Sequence, residues 1–338
     1  MDGTLLRMRL QPASLSALAF ALLAGCASDG TSPSNLASAP HYSRAGVIDA
    51  LDGPDASGGG LYVSQFSSTS ILAYKSNNKK NGAPTCKVPG VLYLNGVAVD
   101  GKGNLIDPDG GSRSIIVFKG PGMCGAKAAS TNDSFGQPVD AASNDALNGK
   151  IVVANLFDNN SKPGSVSVCT MKNGCQTNLT NSRIYEMVGV AMDKKGNCWA
   201  SAYNTQFLPT LTYFAKCNGA GVAATGYQNT SPGGLDIDDA GNLVAIDTSA
   251  NNTGALVVYS GCKPACNVVG GPFSLHGETF WGHLNQKSTA FATANYVAGE
   301  IDVYKYSTTA LTYLYSFSNG LNASYSVKGA AYNPRSKE

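Results

Sequence analysis

Three acidic segments of this 338-residue chain carry residue types that could bind a divalent cation. They read GVAVDGKGNLIDPDGG from Gly96, GVAMDKKGNCWASAYN from Gly189 and GLDIDDAGNLVAIDTS from Gly234. Calcium prefers carboxylate and amide oxygens, but an EF-hand loop also needs alternating oxygen ligands, a glutamate at its twelfth position and flanking helices. These features are missing. We therefore predict that Asp100, Asp193 and Asp238 begin hairpin turns, in which each carboxylate accepts backbone N–H bonds.

The segment LHGETFWGHLN, residues 275–285, holds the other group with possible chemistry. His276, Glu278 and His283 could supply acid–base catalysis, which needs an imidazole poised near neutral pH. The alternative is a degenerate strand and turn whose Trp281 packs between sheets, and we favour it because a histidine without an orienting partner is common in ordinary folds. The chain has no G-x-S-x-G motif for serine catalysis. We predict no catalytic, metal or cofactor site, with His276 and Glu278 as the only catalytic candidates.

The nine cysteines indicate an oxidising compartment. Setting Cys26 aside leaves an even number, for which we predict four disulfides: Cys169–Cys175, Cys262–Cys266, Cys198–Cys217 and Cys86–Cys124. The last pair is what remains after the others are assigned. A zinc site would need CxxC pairs and histidines at close spacing, and none occurs.

The N-terminus has the pattern of an export signal. Arg7 and Arg9 precede the apolar run LSALAFALLAGC, which has the length of a signal-peptide core. Its end, Leu23 to Cys26, resembles the lipobox of bacterial lipoproteins, in which the cysteine is acylated and becomes the new N-terminus. The resemblance implies a signal peptide over 1–25, lipidation at Cys26 and a lipid-anchored protein of the bacterial cell envelope. Because no aspartate follows the cysteine, it favours the outer membrane, on its periplasmic or surface face. Residues 26–57 are rich in Ser and Pro and predict a flexible tether.

Composition predicts strands joined by tight turns. The chain has 39 Gly and 16 Tyr beside short Val/Ile/Leu runs, and its net charge of +2 gives no sign of a nucleic-acid-binding surface. First strands begin at Gly96, Pro138, Gly189, Gly234, Gly277 and Gly329, a period of about 40 to 50 residues that is typical of β-propeller blades. We predict an all-β, six-bladed β-propeller over 58–336, with four antiparallel strands in each blade.

The two ends of this domain predict how the ring closes. The domain opens with a second strand at residues 58–66 and ends with an unpaired first strand at residues 327–334. Pairing the last strand with the first blade completes six blades and leaves no open sheet edge between the ends, so we expect a monomeric domain.

The segment GVAVDGKGNLIDPDGGSRSIIVF resembles the NHL-repeat and gluconolactonase-like six-bladed propeller families. The gluconolactonase-type hydrolases hold a divalent metal in the axial channel through Glu, Asn and Asp at the starts of first strands. The residues directly before the six predicted first strands are Asn95, Gln137, Val188, Gly233, His276 and Lys328. Only Asn95 matches, so a hydrolase or lyase in the channel is the second interpretation.

Binding is the first interpretation. In propellers the loops between second and third strands surround one end of the channel. Aromatic and amide side chains there suit a glycan, peptide or protein partner, although Asn and Asp also form ordinary turns. The candidate ligand-binding residues are Phe66, Asp109, Arg113, Asn155, Tyr203, Asn204, Asp247, Asn295 and Tyr296.

Overall fold

The computed structural model describes residues 60–333 apart from 67, 77, 93–94, 121–125, 159–162, 249–252 and 323. The predicted signal peptide, Cys26 and the predicted tether lie outside these residues. Within them the chain forms 24 β-strands and one short 3-10 turn, with no α-helix. The described residues thus hold no helix of the length and apolarity that a bilayer span requires.

The strands follow one another at short intervals. In the first half of the chain they are β1 (Gly60–Gln65), β2 (Ser70–Lys75), β3 (Cys86–Pro89), β4 (Ala98–Val99), β5 (Leu105–Asp109), β6 (Ser114–Phe118), β7 (Lys127–Asn132), β8 (Gly136–Ser143), β9 (Ile151–Asp158), β10 (Ser165–Thr170), β11 (Gly174–Leu179) and β12 (Glu186–Met192). In the second half they are β13 (Cys198–Tyr203), β14 (Pro209–Phe214), β15 (Val222–Ala223), β16 (Pro232–Ile237), β17 (Leu243–Asp247), β18 (Ala255–Gly261), β19 (Cys266–Ser274), β20 (Gly282–Leu284), β21 (Ala290–Asn295), β22 (Glu300–Ser307), β23 (Ala310–Phe317) and β24 (Val327–Tyr332).

These strands form six four-stranded antiparallel sheets, as the repeat predicts. Blade 1 has the order β24-β1-β2-β3, and blades 2 to 6 take four consecutive strands each, starting from β4, β8, β12, β16 and β20. We call β24, β4, β8, β12, β16 and β20 the inner strands. Apolar side chains on the two faces of each sheet pack against the neighbouring blades; for example, Ile106 and Val117 of blade 2 share a buried cluster with Ile151 and Val153 of blade 3. The core is therefore a ring of blade-to-blade contacts.

The ring closes as predicted. Strand β24 pairs antiparallel with β1, and Leu61 lies opposite Tyr332 while Val63 lies opposite Ala330. Leu61, Val63 and Ala330 are fully buried. The last strand is thus the inner strand of the first blade, and it covers an edge that β1 would otherwise expose.

Two predicted blade starts are wrong. The N–H of Gly96 donates to the carbonyl of Val139, and the N–H of Gly234 donates in the same way to Phe280 in the next blade. The residue that follows the accepting carbonyl therefore occupies the same position in its blade as Gly96 and Gly234 do in theirs. In blade 3 this residue is Asp140, not Pro138. In blade 6 it is Trp281, not Gly277. The β8–β9 register shifts at Pro138 and β20 starts only at Gly282, so these two inner strands do not begin where the glycine spacing suggests.

The acidic turns have the predicted geometry. Asp100 Oδ1 accepts the backbone N–H groups of Lys102 and Asn104 at 2.8 and 2.9 Å, and its Oδ2 accepts the Asn104 amide. Asp193 and Asp238 accept the corresponding bonds from the asparagine four residues later. The glycines before these asparagines have φ of 88°, 78° and 81°. Each carboxylate is thus engaged by its own turn.

Two of the predicted disulfides are present. Cys169 is bonded to Cys175 and Cys262 to Cys266. Cys86 is disulfide-bonded too, whereas its predicted partner Cys124 lies outside the described residues, so that pairing stays a prediction.

The structure contradicts the predicted Cys198–Cys217 disulfide, because both residues are free thiols. In the β13–β14 register Cys198 lies opposite Phe214, and Cys217 lies beyond the strand in the 3-10 turn with φ of 47°. The two thiols are still neighbours, and Cys198 forms a hydrogen bond with Cys217. Burial, with the adjacent thiol, raises the pKa of Cys198, which keeps it protonated and unreactive.

Candidate functional site

The ring has two ends with different chemistry. We call the end formed by the loops between second and third strands, and by the loops that lead into inner strands, the loop mouth. We call the end formed by the D-x-x-G-N turns after the inner strands the turn mouth. All nine predicted ligand-binding residues are on, or next to, loops or strand ends of the loop mouth.

The indole of Trp281 fills the axis between the two mouths. Its Nε1 donates a 3.0 Å hydrogen bond to the carbonyl of Val188, two blades away. A Cβ atom added to Gly96 or to Gly234 would lie 3.1 Å from the indole Cδ1. Trp281 is 2% exposed. One side chain of blade 6 therefore contacts blades 2, 4 and 5, and it fits only because glycines face it.

A metal site of the gluconolactonase type has no support at this level. With blades 3 and 6 in the observed register, six residues occupy the positions at which the gluconolactonase-type hydrolases carry their metal ligands. They are Asn95, Val139, Val188, Gly233, Phe280 and Lys328. None is a carboxylate, and hard divalent cations prefer anionic oxygens. The predicted places of Gln137 and His276 in this ring are wrong, because the glycine spacing misplaces both inner strands.

Lys328, on the inner strand β24, lies at the loop mouth between blades 1 and 6. It is 5% exposed, and its Nζ lies 4.2, 4.6 and 5.6 Å from the ring centroids of Tyr296, Phe280 and Phe66. Three aromatic faces around one ammonium give a favourable cation–π arrangement. Burial raises the pKa of nearby Glu278, and the charge of Lys328 partly offsets that rise. Of the nine predicted residues, the structure brings Phe66 and Tyr296 together here.

The other predicted residues have contacts that already hold the loops. Asp109, Asn204 and Asp247 accept backbone N–H bonds within or beside their own loops. Asn295 accepts the N–H of Ala298, and the Tyr203 hydroxyl forms a hydrogen bond with the Ser231 hydroxyl. Arg113 has a positive φ of 51° in its turn. Asn155 is fully buried and donates to Ser167. Their roles in binding stay predictions.

The two catalytic candidates have different surroundings. The exposed His276 ring stacks on Tyr313 of the outer strand β23, with ring centroids 3.9 Å apart. Glu278 instead feels the charge of Lys328 on the inner strand β24. This arrangement offers no oriented acid–base pair of His276 and Glu278.

Exposed apolar side chains surround the loop mouth. Among the described residues the large apolar side chains with high exposure there are Leu92 (38%), Phe207 (39%), Leu208 (55%), Val297 (43%) and Tyr325 (55%). Tyr325 packs edge-on against Tyr296, which connects this rim to the aromatic rings around Lys328. Contiguous exposed apolar surface is typical of a site that binds a partner, and Tyr325, Tyr296 and Phe280 form one connected aromatic group at this mouth.

The turn mouth contains a cavity of about 570 Å³ that no motif in the sequence indicates. His283 and Asp236 line it, and His283 Nδ1 lies 3.4 Å from Asp236 Oδ2. Beneath them, the fully buried Asp140 accepts the Val190 N–H at 3.0 Å. Burial opposes the charged form of His283, but the hydrogen bond and charge of Asp236 and the charge of Asp140 raise its pKa overall.

Buried acids make the stability of the fold depend on pH. Burial is the main reason why the pKa values of Asp140, Glu186 and Asp302 are each raised to about 7. A carboxyl whose pKa is higher in the folded state contributes stability below its unfolded pKa and loses it as pH rises through the folded value. We expect the free energy of unfolding to be lower at pH 8 than at pH 5, by about 2–3 kcal/mol for each carboxyl that keeps this pKa, measured by urea denaturation. Asp302→Asn should flatten this dependence, and a stability that rises from pH 5 to pH 8 would contradict it.

No protein-family model and no curated protein matches the chain. Among solved structures it is similar to a chain of a nidogen/laminin complex, with 14% identity and a TM-score of 0.60 over 83% of this chain and 100% of that chain. It is similar to a functionally unknown protein from Desulfotomaculum acetoxidans, with 12% identity and a TM-score of 0.51 over 78% and 81%. It is also similar to a protein of unknown function from Bacteroides caccae, with 14% identity and a TM-score of 0.55 over 82% and 99%. At these identities the similarity shows the β-propeller fold alone.

Proposed function

We propose that this protein is a lipid-anchored, extracytoplasmic interaction module that binds a peptide or protein partner at the loop mouth. The observation that carries the proposal is the exposed apolar rim, which includes Leu208 and Tyr325, around the buried Lys328 and its aromatic rings. An apolar surface with directional polar groups suits a polypeptide segment. The alternative of a channel hydrolase has less support, since Trp281 fills the axis.

Two further points support the cellular setting. The disulfides Cys169–Cys175 and Cys262–Cys266 are typical of proteins that fold outside the cytoplasm. The similar chain comes from the structure of a nidogen/laminin complex, which is in keeping with an interaction role for a fold of this kind.

The loop mouth is tested with peptides selected against the full chain from a phage-displayed random library. Their affinity for the double variant Leu208→Ala/Tyr325→Ala should be at least tenfold weaker, because interface hot spots concentrate in large apolar and aromatic side chains. The matched control Val222→Ala/Leu314→Ala removes equally exposed apolar groups from the outer strands β15 and β23 and should change affinity less than twofold. Equal loss in both variants would contradict the proposal. Selective binding on a glycan array without peptide binding would show that the partner is a glycan and not a peptide or protein. Stoichiometric metal in the purified protein would favour the hydrolase.

The lipid anchor is tested at Cys26. In a bacterial expression host, Cys26→Ser should abolish incorporation of labelled palmitate and move the protein from the membrane to the soluble fraction, because acyl chains anchor by about 0.8 kcal/mol per buried methylene. Cys198→Ser is the matched control, since that thiol is buried in the propeller. Labelling that persists in Cys26→Ser would disprove the lipobox assignment.

A further inference from the structure

The floor of the turn-mouth cavity is a layer of six residues, one from each inner strand, all at the same position in their blades. In four blades this position is alanine, and in blades 5 and 6 it is Asp236 and His283. The residues of the layer, all of which line the cavity, are Ala98, Ala142, Ala191, Asp236, His283 and Ala331. Alanine side chains leave space that longer chains would fill. A volume of about 570 Å³ is in the range of small-molecule sites.

Asp236 has acceptor capacity that the protein leaves unused. Its Oδ1 accepts the N–H of Ile237 at 2.7 Å, and its Oδ2 accepts the N–H of Leu284 at 2.8 Å and lies 3.4 Å from His283 Nδ1. A carboxylate has about four lone-pair sites, so one remains on Oδ1. The Asp236 side chain is 26% exposed and lines the cavity.

The other acidic residues of the lining differ from Asp236. Asp100, Asp193 and Asp238 are engaged by their turns, and Asp193 also binds Lys263 at 2.9 Å. Asp239 is exposed at the rim. Asp236 is therefore the carboxylate of the floor that lies beside the alanines, is partly exposed to the cavity and keeps an acceptor site.

We infer that the turn-mouth cavity binds a small organic cation, with its ammonium group against Asp236 and its apolar body along the alanine layer. A sugar fits less well, because Tyr332, the only Phe, Tyr or Trp among the described residues of the lining, is 6% exposed and offers little ring surface for stacking. The lysines of the lining, Lys194, Lys195 and Lys263, are exposed at the rim, and Lys263 is paired with Asp193, so a ligand anion that entered would still meet Asp236 at the floor. This site is at the opposite end of the ring from the loop mouth, so it stands independently of the function proposed above.

The geometry also sets the pH dependence of this binding. Protonated His283 supplies a cation to Asp236 and competes with the ligand for it. The titratable groups that face His283 are Asp236 and, from blade 3, Asp140. As pH rises, His283 loses its proton and Asp140 becomes charged. Both changes leave the floor more negative, so affinity for an ammonium ion should rise.

The experiment titrates n-butylammonium into the full chain by isothermal calorimetry, with n-butanol and butyrate as neutral and anionic probes of the same size. We expect butylammonium to bind with a millimolar Kd, at least tenfold tighter than either other probe, and several-fold tighter at pH 8 than at pH 5.5. Asp236→Asn should weaken it at least tenfold. Ala142→Leu should do the same by filling the cavity at a half-buried position, without removing a charge.

Asp239→Asn is the matched control and should change the Kd less than twofold, as should Tyr325→Ala at the loop mouth. If Asp236→Asn fails to fold, Ala142→Leu still decides the matter. Equal binding of butylammonium and butanol, equal losses in the Asp236→Asn and Asp239→Asn variants, or unchanged binding in Ala142→Leu would overturn the proposal.

Discussion

Replacing Trp281 with alanine should lower the free energy of unfolding by about 3–5 kcal/mol, the usual cost of removing a buried tryptophan. The loss has two parts. The indole leaves a cavity at the axis, and the carbonyl of Val188 loses the hydrogen bond that Nε1 donates. Glycines such as Gly96 and Gly234 contact the indole and have no side chain that could move into the space. Urea denaturation followed by circular dichroism measures the change.

Two variants distinguish an axial plug from an ordinary buried aromatic residue. Trp281→Phe keeps most of the apolar volume but not the donor, so its loss should be about half as large. Tyr325→Ala, at an exposed position, should cost less than about 0.5 kcal/mol. Added indole should raise the urea midpoint of Trp281→Ala and not that of the wild type, because apolar cavities bind matching aromatic molecules. A loss below about 1 kcal/mol in Trp281→Ala would show that the indole does not hold the blades together.

The architecture could be predicted from the sequence because its signal is repeated. The turns at Asp100, Asp193 and Asp238 each need a carboxylate, a glycine with positive φ and an asparagine, and this triplet fixes the frame of three blades. Strand β24 could be identified as the closing strand because it has the pattern of a first strand without a second one. Local turn chemistry and strand alternation therefore suffice for the blade number and the closure.

The frame of blades 3 and 6 could not be predicted, because the residues at the axis there are not glycines. Asp140 and Trp281 occupy the position held elsewhere by Gly96 or Gly234. Glycine spacing therefore predicts that the first strands of blades 3 and 6 begin at Pro138 and Gly277. A side chain that fills a shared central space depends on residues from several distant blades. Nothing in the local sequence of Trp281 shows that contact.

The candidate sites were predictable only in part, for a related reason. Phe66 and Tyr296 could be placed at the loop mouth, because aromatic residues at strand ends stood out. The role of Lys328 was missed, since a lone lysine at the start of a strand looks like a solvated residue until three rings are seen around it. The pair of Asp236 and His283 could have been found by aligning the repeats in their true register, where both occupy the same position. Alanine, which makes the cavity beside them, carries no chemical signal.

The second large effect is expected at the closing strand. Ending the chain at Ser326 removes β24, whose residues Val327, Ala330 and Tyr332 are 0%, 0% and 6% exposed. The buried cluster between blades 1 and 6 would face water, and β1 would become an open edge prone to pairing with other chains. We expect the truncated chain to lose its cooperative urea transition and to aggregate in size-exclusion chromatography. The point substitution Ala330→Glu should cost several kcal/mol, because it places an unpaired carboxylate opposite Val63 in the same cluster.

Ala310→Glu, the same change at an exposed position of the outer strand β23, is the matched control and should cost less than about 0.5 kcal/mol. A synthetic peptide of residues 326–333 gives a positive test. Added to the truncated chain, it should restore soluble monomer and the cooperative transition, since an extended segment adds to an open sheet edge through main-chain hydrogen bonds. A truncated chain with the full-length urea midpoint would show that pairing with β1 contributes nothing to the ring. Rescue by the peptide, but not by its Ala330→Glu version, would place the stabilisation in the β24–β1 contact itself, because the two peptides differ only at the residue that packs against Val63.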